Sequence, residues 1–226
     1  MRIEGGLKSG RHDEIGRAPG SRLCCCASVP WRASVRGGGV IGCSSGPLSS
    51  ELASAVFPLD EFYSRAGVAL PRFELLAGAD VPEPWRSLLV HPRDMTPTLE
   101  DHFDCDIHIE VLGRDRRGDA YFREVILRLD RDDRAVEFGA NRIALDLLPS
   151  VVRRLVLQEQ LPFGHILKAH EMPHTGAPDA FFVVESDALM NRAFGLSGRN
   201  LLYGRHNTLR DMQGRPISEV VEILPP

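Results

Sequence analysis

Tyr121-Phe122-Arg123-Glu124-Val125-Ile126-Leu127-Arg128-Leu129 is the stretch on which the fold turns. It is short, aromatic at one end and aliphatic at the other, as a β-strand is. Successive side chains of a strand point to opposite faces. Tyr121, Arg123, Val125, Leu127 and Leu129 therefore share one face, and Arg123 is its only charge. Glu124 and Arg128 share the other face with Phe122 and Ile126.

The same pattern extends on both sides. Ile107, Ile109 and Val111 alternate with polar residues, which predicts a half-buried strand before a charged turn at Arg114 to Asp119. A polar turn from Asp130 to Arg134 leads to a third strand, Val136 to Leu145. Strands joined by short turns imply an antiparallel meander. Phe181 to Val184, Leu201 to Leu209 and Ile217 to Leu224 read as three more strands. The last two are joined by a turn at Gln213-Gly214-Arg215-Pro216.

Helices are expected from Pro58 to Gly67, from a Thr96 cap with Pro97 in the first turn to Phe103, and from Pro149 through Val156. Two more are expected, through Ile166 and Leu167, and from an Asp187 cap to Gly195. The fold class is α+β: a single antiparallel sheet of about six strands with short flanking helices on one side.

Charge placement selects the candidate site residues. Period two also sets Arg142 among Val136, Phe138, Ala140 and Ala144, and Glu222 between Val220 and Leu224. A buried guanidinium costs several kcal/mol unless it is paired. The partner is then either an internal carboxylate such as Glu222 or an anionic ligand. Edge strands or outward-snorkelling arginines remain the alternative.

Residues 1–50 differ from the rest: they are rich in Gly, Arg, Ser and Cys and lack periodicity. Such a segment cannot bury enough apolar surface to offset its ordering entropy. It reads as a disordered extension, or as sequence upstream of the true start of translation, ahead of one domain over 51–226. A chain starting near Pro47 is therefore expected to fold with a cooperative melt and to keep full activity. Aggregation of that shortened chain would place the head in the core.

The net charge of −4 gives no general attraction to nucleic acid or to an anionic membrane. Lys8 and Lys168 are the only lysines among 27 basic residues, so most cations can grip a carboxylate with a planar fork. No apolar run is long enough for a spanning helix and no signal core follows the N-terminal arginines, which points to a cytoplasmic protein. Cys24, Cys25, Cys26 and Cys43 sit in the head, and Cys105 stands alone before a strand. No zinc-binding spacing exists, so they read as reduced thiols. The histidines, including His165, His170, His174 and His206, are scattered and form no metal triad.

Several segments together resemble the chorismate pyruvate-lyase family. Leu88-Leu89 leads, after a slightly longer spacer than the family's, to Asp94-Met95-Thr96. Arg123-Glu124-Val125-Ile126-Leu127 and Gly139-Ala140-Asn141-Arg142-Ile143 match two central strands. Pro162-Phe163-Gly164 stands where the family has Pro-Leu-Gly before a helix. Gly204-Arg205, Gly214-Arg215-Pro216 and Glu222-Ile223-Leu224-Pro225 complete a match over residues 85–226.

The resemblance implies a ligand cavity closed by helical flaps, and a lyase converting chorismate to 4-hydroxybenzoate and pyruvate. It implies substrate contacts at Met95, Arg123, Phe163 and Glu222, with Met95 and Phe163 acting through main-chain amides. In that scheme Arg123 holds a substrate carboxylate. Glu222 acts near the ring hydroxyl as acceptor or general acid/base, and Arg142 is a further charge or a carboxylate clamp. The spacing before Glu222 is one residue longer than in the family, which leaves Glu219 as the other candidate. No metal or organic cofactor is implied. The partner is a small-molecule acid, bound by a monomer or small homo-oligomer. The same fold also resembles the ligand-sensing domains of some bacterial transcription regulators. The alternative function is thus a non-catalytic sensor of an aromatic acid, although the head carries no helix-turn-helix pattern.

Overall fold

Pairing of the Arg123 strand with both neighbours builds the centre of the molecule. The computed structural model describes residues 49–226. The expectations for the head and its four cysteines lie outside those residues. Two short helices, α1 (Ser50–Val56) and α2 (Leu59–Ala66), precede strand β1 (Phe73–Leu76). Helices α3 (Trp85–Leu89) and α4 (Met95–Phe103) follow. The meander is β2 (Ile107–Arg117), β3 (Ala120–Leu129) and β4 (Ala135–Ala144). After α5 (Ser150–Gln158) and α6 (Phe163–Ala169) come β5 (Thr175–Glu185), α7 (Ala188–Phe194), β6 (Leu201–Arg210) and β7 (Pro216–Leu224).

All pairings are antiparallel in one sheet of seven strands, ordered β1-β5-β6-β7-β4-β3-β2. The α+β antiparallel expectation holds, with one strand more than the alternation showed. The extra strand is β1, a four-residue edge strand after Pro71 that pairs Phe73 with Val184. Four residues are too few to display a period. The expected cap at Thr96 is also shifted: α4 starts at Met95 with Asp94 in the N-cap position. Asp187 does cap α7, accepting from the Met190 amide at 2.8 Å, and Gly195 ends that helix with φ +68°.

Helices cover both faces of the sheet, not one. On one face α1, α2 and α7 close a core of Val56, Leu59, Met190 and Ala193 against Ile126, Phe138, Phe182 and Val221. The other face carries two separate cores. Leu89 of α3 and Leu99 of α4 pack on Leu127, Leu129 and Leu224, with Cys105 at the margin. Val152 of α5 and Ile166 of α6 pack on Tyr121, Ile143 and Leu209. Strand β4 departs from strict alternation where the register shifts opposite Leu127 and Arg128. Val136 accordingly joins the α3/α4 core, while Phe138 joins the opposite face.

Candidate ligand-binding cavity

Between the two cores of the second face the sheet is left uncovered by apolar packing. A cavity with about 540 Å³ of atom-free space, part of it open to solvent, lies there. The strand register sets its floor. Arg123 pairs with Asn141, Asn141 with Val220, and Val220 with Asn207. The next row is Val125, Gly139, Glu222 and Arg205. Close strand contact in that row requires glycine, since a Cβ at Gly139 would lie 2.1 Å from the Val221 carbonyl oxygen. Met95, Arg123, Phe163 and Glu222 all line this one cavity.

Arg123 is 1% exposed. Its Nε donates to Asn141 Oδ1 at 3.2 Å, and its Nη1 has no hydrogen-bond partner among the described residues. It forms no ion pair among them either. Burial pulls its pKa down to about 10, only partly opposed by the Tyr121 and Glu159 side chains. Glu222, the internal partner considered from the sequence, is taken by a different arginine. Arg205, fully buried, donates through Nε to Glu222 Oε2 at 2.5 Å. Its remaining N–H groups reach the carbonyls of Leu89, His91 and Arg93 at 3.0, 2.9 and 3.1 Å. Arg205 thus orients Glu222 and fastens the segment between α3 and α4 to the sheet.

Orphaned polar atoms gather here. Arg123 Nη1, Glu137 Oε2, Asn207 Oδ1 and Ser218 Oγ are buried without partners, and all four residues line the cavity. Ordinary interiors satisfy such atoms, so their concentration at one place asks for a polar ligand or water. Ile109, Val125, Leu127 and Leu209 supply apolar wall.

The starts of α4 and α6 form the roof. Asp94 sits at the N-cap of α4 but gives its amides no side-chain hydrogen bond. Its carboxylate instead meets His174 Nε2 at 3.1 Å. The first amides of α4 are therefore left uncapped by the Asp94 side chain. Gly164 lets α6 lie close against it, since a Cβ there would come 3.3 Å from Thr96 Oγ1. A second link between the helices is His165 Nε2 to Glu100 Oε1, 2.7 Å.

The Asp94 hydrogen bond raises the His174 pKa above the usual imidazole range, against the opposing pull of burial. A raised folded-state value means stabilisation that is complete below about pH 6.5 and is lost as pH rises through the folded value. The melting difference between wild type and His174→Phe should accordingly be larger at about pH 5.5 than at about pH 8.5. Equal differences at both would remove the charge from this contact.

Arg142 is not in the cavity. Its cross-strand neighbours are Phe122 and Glu219, on the opposite face, and its Nη1 meets Glu219 Oε2 at 2.9 Å. The sequence expectation of a second carboxylate clamp is corrected accordingly. Within β4, Arg142 and Asn141 are neighbours, and it is Asn141 that shares the Arg123 face. Glu219 leaves the candidate site with it. The pair is over a quarter exposed on each side, at 29% and 28%, so Arg142→Ala should cost less than about 1 kcal/mol and leave acid binding intact. Thermal melts and calorimetric titration check both.

Glu137, Asn207 and Ser218 escaped the sequence reading, and Arg205 appeared there only within a motif. The available signal was Glu137 between Val136 and Phe138, a charge in an apolar strand. Among the described residues no cluster of His, Cys, Asp or Glu could hold a metal ion, and no helix is long and apolar enough to cross a membrane.

No family model and no curated protein matches the chain. Solved structures similar to it include the effector domain of PhnF from Mycobacterium smegmatis, at 9% identity and TM-score 0.45, covering 58% of this chain and 87% of that one. Whole PhnF from the same organism aligns at 10% identity and TM-score 0.43, over 74% and 92% of the two chains. The ligand-binding domain of a putative GntR-family transcriptional regulator from Bordetella bronchiseptica aligns at 8% identity and TM-score 0.40, over 53% and 85%.

Proposed function

We propose that this domain binds a small organic acid, an aromatic or cyclic carboxylate, with the carboxylate on Arg123. The observation that carries this is a guanidinium buried to 1% exposure whose Nη1 has no partner among the described residues. An isolated buried cation is costly, and a carboxylate is the group whose geometry fits its fork. Asn207 and Ser218 offer further polar contacts, and Val125, Leu127 and Leu209 offer a surface for a ring. The function best supported is ligand sensing or binding. Calorimetric titration of the full chain with chorismate, 4-hydroxybenzoate and benzoate tests it. Saturable binding that disappears in Arg123→Ala is expected. Silence from all three acids would sink the proposal.

The second reading is catalytic. It is favoured by Glu222 lining the same cavity as Arg123, Met95 and Phe163, the four positions the resemblance implies. Chorismate would lose its enolpyruvyl group as the ether C–O bond breaks. The hydroxyl-bearing ring carbon gives up a proton, the ring becomes aromatic, and the departing enol becomes pyruvate. This elimination is redox-neutral, and the aromatic product makes it downhill. The protein's task is then to orient the substrate and offer an acceptor at Glu222. Chromatography for 4-hydroxybenzoate and pyruvate decides between the readings. Binding with chorismate recovered intact leaves the sensor.

A further inference from the structure

One of the cavity's partnerless buried groups is a carboxyl, at the end remote from Arg123. Glu137 of β4 is 4% exposed, lines the cavity, and its Oε2 bonds to nothing among the described residues. Asn141, which holds Arg123, lies four residues further along the same strand, roughly 13 Å at the rise of an extended chain. Between them stands Gly139, paired with Glu222. Among the described residues the countercharge acting on both Glu222 and Glu137 is Arg205, and the hydrogen bond from its Nε goes to Glu222.

We propose that the Glu137 carboxyl group donates a hydrogen bond to the bound ligand, so that the cavity selects acids carrying a second oxygen acceptor opposite the carboxylate. The substrate class is then a keto, ether, hydroxy or dicarboxylic acid, not a purely hydrocarbon acid. This rests on the proposed carboxylate site at Arg123 and deepens it. Burial, and then the charge of Glu222, raise the Glu137 pKa well above the usual carboxylate range, with Arg205 opposing. In its neutral form, which burial and Glu222 both favour, the group is an O–H donor whose other oxygen is an acceptor. Such a donor left unpaired is costly, and the cost is removed only by ligands that can accept. A ligand ending in hydrocarbon would leave it buried and unmatched.

The sign of the pH effect follows. Glu222 from β7 and Arg205 from β6 act on Glu137 directly, and Arg123 from β3 and Asp94 at the start of α4 are the other charged groups lining the cavity. As pH rises through the Glu137 pKa the donor is lost and a second negative charge appears beside Glu222. Affinity for an accepting ligand should therefore fall as pH rises through that value.

The test uses the full chain and two probes of nearly equal shape, 4-acetylbenzoate and 4-isopropylbenzoate, titrated calorimetrically. Wild type should bind the acetyl compound at least about tenfold more tightly. Glu137→Leu should abolish that preference. Glu137→Gln, whose amide still donates, should keep it and lose the decline with rising pH. Melting curves of both variants verify folding. Equal affinities for the two probes in wild type, with binding lost in Arg123→Ala, overturn the Glu137 role and leave the carboxylate site standing. Unchanged binding in Arg123→Ala, or no binding of either probe to wild type, overturns both.

Discussion

Arg123→Ala is expected to weaken acid binding by on the order of 2–5 kcal/mol, or by the same amount in kcat/KM if chorismate is turned over. The magnitude is that of truncating one partner of a desolvated charge pair. Lysine should restore little. Its ammonium is a point charge and cannot present two parallel N–H groups to a carboxylate. The fold should tolerate the loss, and the ligand-free protein should gain from it. Arg123 is held at a pKa of about 10 by burial without a countercharge. A cation whose folded-state pKa lies below its unfolded one destabilises the fold while charged. The penalty is present at neutral pH and is relieved as pH rises from about 10 towards the unfolded value. A depression of that size corresponds to about 3 kcal/mol at neutral pH. Arg123→Met, which keeps much of the length without the charge, should therefore melt at or above wild type and bind no acid. Titration and melting of the two variants give the answer. Normal binding in the alanine variant would remove Arg123 from the site. A large fall in melting temperature would make it a structural arginine.

A cation set on an apolar strand face is what made part of the site legible in sequence. Periodicity alone places Arg123 among Val125, Leu127 and Leu129, and the structure buries it there. Alternation within one strand does not set the register between strands. Arg142 has the same lone-charge signature as Arg123, yet the pairing of β3 with β4 sends it to the opposite face. The shift opposite Leu127 and Arg128 had the same effect on Val136.

Strand β6 was legible as a strand but not as a buried one. Arg205, His206, Asn207 and Thr208 are consecutive, polar and all buried. A run like this reads as solvent-facing, because the groups that pay for its burial are distant in sequence. Arg205 finds Glu222 and three carbonyls near α3 and α4, His206 and Thr208 find Asp179, and Asn207 faces the cavity. Glu222 was therefore identified as a charge inside the sheet while its partner was not.

Arg205→Ala should produce the largest loss of stability of any single change considered, about 3–5 kcal/mol. Three effects add. Glu222 is left as a buried carboxylate without its countercharge, beside the buried Glu137 carboxyl group. The carbonyls of Leu89, His91 and Arg93 lose their donors. The segment that carries Asp94 and Met95 to the cavity loses its attachment to the sheet. For a domain of this size that is a fall of roughly 6–20 °C in melting temperature. Truncation of one partner differs from removal of both. Arg205→Met combined with Glu222→Leu should recover part of the loss, since matched apolar replacements of a buried pair are often near neutral. A double-mutant cycle separates the terms. Additive losses would mean that Arg205 acts through the backbone carbonyls alone. Strong coupling would assign the main share to the ion pair. On the proposed acid site, the recovered double variant should still bind acids through Arg123; if the wild type turns chorismate over, the variant, with the Glu222 acceptor gone, should release no pyruvate. Pyruvate release by that variant would exclude Glu222 from any chemistry in the cavity, whatever its place in the fold.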